Sequence, residues 1–103
     1  MRRIRLIVSY DGSGYFGSQI QPNAVTVEQK LNEAVQGLTG APAQVIFASR
    51  TDTGVHALGN VAVFDTEFPM RAERFATALN AYLPQDIRVQ AADEVAPIWH
   101  PRK

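Results

Sequence analysis

AQVIFASRTDTGVHALGNVAVFDT (residues 43–66) holds two apolar runs, AQVIFA (43–48) and LGNVAVFDT (58–66), separated by a polar stretch. Apolar runs of this length bounded by polar residues read as strands. Asp52-Thr53-Gly54 between them is good turn chemistry, because Asp caps its own turn and Gly accepts φ > 0. Two strands in direct succession are therefore expected at the centre of the chain. Upstream, Val27, Leu31, Ala34, Val35 and Leu38 recur at helical spacing. Thr26 is placed to cap that helix, with Gln29 completing a capping box, and Gly40 and Pro42 to end it. Downstream, Pro69 is expected to open a second helix with Phe75, Ala78, Leu79, Tyr82 and Leu83 as its apolar stripe, stopped at Pro84. Ile4, Leu6 and Val8 alternate with polar residues at one end of the chain, and Ile87, Val89 and Ala91 alternate at the other, adding a strand at each end. The order β-α-β-β-α-β predicts an α+β, ferredoxin-like sandwich: one mainly antiparallel sheet with two helices on one face.

With 103 residues the chain is long enough for one domain with a real core and too short for two. Its 46% hydrophobic and 19% charged residues suit a globular protein, and no apolar run approaches the roughly 20 residues of a membrane span. Absence of cysteine excludes disulfides, zinc–thiolate sites and thiol nucleophiles within these residues, and a cytoplasmic location is compatible with it. Ten basic and ten acidic residues cancel, but the basic set is eight Arg against two Lys. That skew fits phosphate contacts and stacking on bases, and fits a solvated surface equally.

The segment RTDTGVH (50–56) contains Asp-Thr-Gly, the tripeptide of aspartic proteases. Those enzymes are nearly all β and need a partly desolvated dyad that shares a proton. Here two helices are expected, and Arg50 stands two residues before Asp52, favouring an ionised carboxylate. Asp52 is thus either a turn residue or a lone carboxylate able to act as nucleophile or base. His56 and His100 lack metal-ligand spacing, so they are not expected to make a metal site. DGSGYFG (11–17) lacks the Lys-Ser/Thr of a phosphate loop. Tyr10, Tyr15 and Phe16 around it could present a surface to unstacked bases or pack beneath the loop.

Taken together, YDGSGYFGSQIQPN (10–23), TVEQKLNEAV (26–35), ASRTDTGVHALGNVAVFDT (48–66) and ALNAYLPQDIRV (78–89) resemble, in order, the N-terminal half of tRNA pseudouridine synthases of the TruA type. The resemblance spans essentially the whole chain, with R-T-D-x-G-V-H-A its most specific piece. It implies isomerisation of uridine to pseudouridine in the anticodon stem-loop of tRNA, without cofactor or metal. It implies that Asp52 is the catalytic carboxylate and that Arg50 holds the target nucleotide flipped out. Tyr10, Gln19 and His56 are the further residues expected to contact RNA or assist flipping. A homodimer is the expected assembly.

Some positions depart from the family pattern. Ser18 stands where a Trp is usual, Ser49 where Gly is common, and Thr53 where Ala is usual. Residues 1–95 are expected to form the N-terminal subdomain, and 96–103, which resemble the entry to a second half, to lead out of it. That second half would carry an aromatic residue that stacks on the target uracil, so these 103 residues alone are expected to form an incomplete active site. The alternative is a non-catalytic ferredoxin-like module that binds RNA weakly or dimerises.

Overall fold

The structure, a computed structural model, describes residues 1–11, 26–48 and 57–100. The elements run β1 (Arg2–Tyr10), α1 (Val27–Thr39), β2 (Ile46–Phe47), β3 (Ala57–Thr66), α2 (Arg74–Asn80) and β4 (Ile87–Val95). They build one four-stranded sheet in the order β2-β3-β1-β4, with every neighbouring pair antiparallel. This is the expected α+β ferredoxin-like arrangement. Among the described residues no helix is long and apolar enough to cross a membrane.

Alternation in β1 divides the sheet into two faces. Ile4, Leu6, Val8 and Tyr10 point to one side, where they join Ala62 and Phe64 of β3 and Ile87 and Val89 of β4. Val27, Leu31 and Val35 of α1 and Phe75 and Leu79 of α2 close over the same side in a single cluster. Phe64 and Phe75 meet edge to face, with ring centroids 5.5 Å apart. The other face carries Arg3, Arg5 and Ile7 of β1 opposite Asp65, Val63 and Val61 of β3.

Local chemistry sets the ends of α1. The Thr26 hydroxyl accepts from the Gln29 N–H at 3.2 Å, as an N-cap should. The Gln29 amide donates to Glu33 at 3.4 Å rather than turning back toward Thr26, so only half of the expected capping box forms. Gly40 ends the helix at φ 76°, where a side chain would be strained, and its N–H donates to Gln36 O at 2.8 Å.

Three expectations are corrected. The second helix does not open at Pro69: residues 69–73 form turns, and α2 starts at Arg74. Tyr82 lies beyond its end and is half exposed, its ring so close to α1 that a Cβ on Gly37 would stand 2.9 Å from it. The apolar run 43–48 pairs as a strand only at Ile46–Phe47, because the Val45 N–H donates to the Asn32 side chain of α1 at 2.8 Å instead of to a strand. Finally, the register between β1 and β4 steps from Ile7↔Ala91 to Val8↔Val89, which makes Gln90 an extra residue. That bulge moves Ala91 to the face opposite Ile87 and Val89, and Ala92 takes the place against the core.

Candidate active site

Antiparallel pairing brings the end of β1, the end of β2 and the starts of β3 and β4 to one end of the sheet. Residues 12–25 leave the sheet there from Asp11, and residues 49–56 join Ala48 to Ala57. Asp52, Arg50, His56 and Gln19, together with Tyr15 and Phe16, lie outside the described residues. In the sequence Asp52 is four residues beyond Ala48, and His56 immediately precedes Ala57.

The roots of these segments are tied together. Tyr10 pairs in register with Ala57. Its ring is 4% exposed and sits edge-on to Phe47 at 6.2 Å, and its hydroxyl accepts from Asn60 Nδ2 at 3.3 Å. Of the two roles left open for Tyr10, its ring occupies the packing one, in the core rather than on a surface. The Asp11 N–H donates to Asp86 O at 2.9 Å, linking the start of the Gly-rich segment to the turn before β4.

That turn belongs to ALNAYLPQDIRV (78–89), whose residues now have physical roles. Asn80 Nδ2 donates to Val89 O at 2.9 Å, and the Val89 N–H donates to Asn80 Oδ1 at 2.8 Å. The side-chain amide thus occupies an edge position of β4 as a neighbouring strand would. Leu83 and Ile87 are buried on either side of the turn. Asn80 was missed as a structural anchor, although an Asn at the end of a helix just before a Pro-bearing turn was visible.

The arginine skew has a partly structural explanation. Arg3 grips Asp65 with two bonds of 2.8 and 2.9 Å, and Arg5 grips Asp93 with two of 2.9 and 2.5 Å. Arg2 donates to Glu94 at 3.1 Å and to Phe68 O at 2.8 Å. The Arg3 guanidinium holds the Asp65 carboxyl below its usual value, chiefly through their hydrogen bonds. Residues 96–100 are anchored to the same face: Arg3 Nη1 donates to Trp99 O at 2.6 Å, and the Arg5 guanidinium lies 5.3 Å from the centre of the indole. Among the described residues no three His, Asp or Glu side chains gather as a metal site.

Fold and sequence together describe an α+β domain in which the Gly-rich segment and RTDTGVH each connect to strand ends that meet at one end of an antiparallel sheet. The family model described as tRNA pseudouridine synthase matches residues 6–102. The tRNA pseudouridine synthase A of an Exiguobacterium species is 48% identical over 102 residues, 99% of this chain and 42% of the relative. That of Acetivibrio thermocellus is also 48% identical over the same shares, and that of Geotalea daltonii 43%. The chain belongs to the tRNA pseudouridine synthase family, and it spans about two fifths (42%) of the length of these curated relatives.

Proposed function

We propose that the protein isomerises uridine to pseudouridine in the anticodon stem-loop of tRNA, with Asp52 as its catalytic carboxylate. The observation that carries this reading is the family match across residues 6–102, which includes the segment bearing Asp52. The reaction breaks the bond between C1′ and N1, turns the uracil, joins C1′ to its C5, and transfers the C5 proton to N1 by way of solvent or a base. Nothing is added or removed overall. A carboxylate suits it, by attack on C1′ or by removal of a proton from C2′.

The target base has to leave its stack first. Arg50 is assigned to hold it out and to keep Asp52 ionised, and Gln19 and His56 to contact the RNA. Tyr10 contributes by holding the bases of both segments together through Asn60 and Phe47. Arg88, exposed and in register with Ser9 at the same sheet end, is assigned to a phosphate in this reading. Such contacts read backbone shape and weaken as salt rises. The rest of the pocket, including an aromatic partner for the uracil, is assigned to sequence that the longer relatives have beyond the matched part. The expected assembly is a homodimer, and the reading requires no metal or cofactor.

Tritium release from tRNA labelled at C5 of uridine tests this. A full-length protein carrying this sequence should release label, its Asp52→Ala variant should fall to background, and the 103-residue chain alone should stay near background. Normal turnover by the alanine variant would remove Asp52 from the mechanism.

A further inference from the structure

The chain turns back on itself just after β4. The Trp99 N–H donates to Ala96 O at 2.9 Å and closes a turn, with Pro97 at the position its fixed φ favours. Residues 96–100 therefore come back over the open face of the sheet instead of running on from its end. Two arginines of β1 meet them there. Arg3 Nη1 donates to Trp99 O at 2.6 Å, and the Arg5 guanidinium lies 5.3 Å from the centre of the indole. So placed, Trp99 forms one wall of a groove of about 460 Å³ floored by Ile7, Val61 and Ala91.

Arg3 is suited to this contact in a way that Lys would not be. A guanidinium carries its N–H donors in a rigid fork. Here Nε and Nη2 take the two Asp65 oxygens at 2.8 and 2.9 Å, which leaves Nη1 for the Trp99 carbonyl. Asp65 thus fixes the donor, and the bond it makes is charge-assisted and part-buried. Arg5 repeats the arrangement on the same face: Asp93 holds its Nε and Nη2, and the guanidinium lies over the indole. Ion pairs this exposed add little to stability. What the arrangement determines is direction, because the chain leaves β4 along one path and whatever follows starts from a fixed point. We infer that Arg3 and Arg5 form a latch that sets this path, and that in the full-length protein they are positioning residues for the reaction. They would act by orienting the sequence that follows. The inference rests on the proposed function, which assigns the rest of the pocket to that sequence, and adds to it two residues of β1.

The test uses the full-length protein carrying this sequence. Tritium release from tRNA reads activity, and hydrogen exchange at the Trp99 amide reads the latch. Arg3→Met should speed exchange of that amide and lower kcat about tenfold, while KM for tRNA changes less than about twofold. Misplacing a reacting group by an ångström costs up to about a hundredfold, so a loss of this size fits a tilt of the following part. Arg3→Lys keeps the charge but cannot serve Asp65 and Trp99 O at once, so it should fall nearly as far. Arg5→Gln leaves Arg3 in place and should lose about threefold, the scale of one exposed cation–π contact. Thermal unfolding of all three should stay close to that of the parent. Parent kcat in Arg3→Met, with the Trp99 amide exchanging freely, overturns the positioning role. So does a raised KM at unchanged kcat with a weaker salt dependence, the signature of a lost phosphate contact. Full activity in Arg3→Lys overturns it as well, because charge alone would then suffice. A lowered kcat with Trp99 still protected overturns the latch. A parent that releases no tritium would strike the proposed function, and exchange at Trp99 in Arg3→Met would still decide the latch.

Discussion

Leu6 and Ile7 are neighbours in the chain and point to opposite faces of the same strand, into surroundings with little in common. Leu6 is fully buried among side chains from the sheet and both helices. Ile7 looks onto a groove rimmed by Trp99 and by the Arg5–Asp93 pair. The helix face gains its stability from apolar area removed from water and from close packing. The open face is organised by paired charges and one anchored aromatic ring, which orient groups more than they stabilise them. Close packing and the ordering of surface groups are thus divided between the two sides of one sheet, with β1 serving both.

The sharpest way to break that contrast is to truncate both neighbours. Leu6→Ala should cost about 3 kcal/mol, since a cavity opens in a closed core. Ile7→Ala should cost about 1 kcal/mol, because its side chain is already partly in water. Urea denaturation of the two variants decides it. Equal losses would mean that the open face is covered in solution as fully as the helix face.

A smaller effect tests how the sheet edge is finished. Asn80→Ala removes both bonds to the Val89 backbone and leaves an N–H and a C=O of the edge strand without that partner. A loss of about 2 kcal/mol is expected. Hydrogen exchange should locate it, with the Val89 amide losing protection while the amides of β1 paired to β3 keep theirs. Uniform loss of protection would mean that Asn80 supports the whole core rather than the edge.

What could be read from sequence followed from local signals. The two faces of β1, the cap at Thr26 and the stop at Gly40 all depend on residues within one turn or one strand. The misjudged features depend on distant partners. Pro69 permits a helix start without forcing one, and at the observed start Glu73 makes no side-chain cap bond. Val45 leaves the sheet because Asn32, on a helix, claims its N–H. The Gln90 bulge has no marker in a pattern of period two. The arginine skew left the partners of Arg3 and Arg5 open, and register puts Asp65 and Asp93 opposite them. For the candidate site, the order of motifs around Asp52 was legible. The groove beside Trp99 was not, because its walls come from β1, β3, β4 and the segment after β4.

The Arg3–Asp65 pair yields the smallest and most sign-specific effect. Both partners are at the surface, so Asp65→Asn should cost under about 1 kcal/mol at neutral pH. Its pH dependence follows from the lowered Asp65 pKa. The unfolded chain takes up a proton near the ordinary value of 3.8, while the folded protein resists until lower pH. The contribution of the carboxylate is therefore complete above that value and is lost as pH falls through the lower, folded one. Parent and Asp65→Asn should differ in stability by a constant amount from about pH 5 to 8 and converge below about pH 4. A gap that persists under strong acid would mean that Asp65 acts through packing rather than charge. Arg3 would then be held in place by Trp99 O, its other partner on the open face.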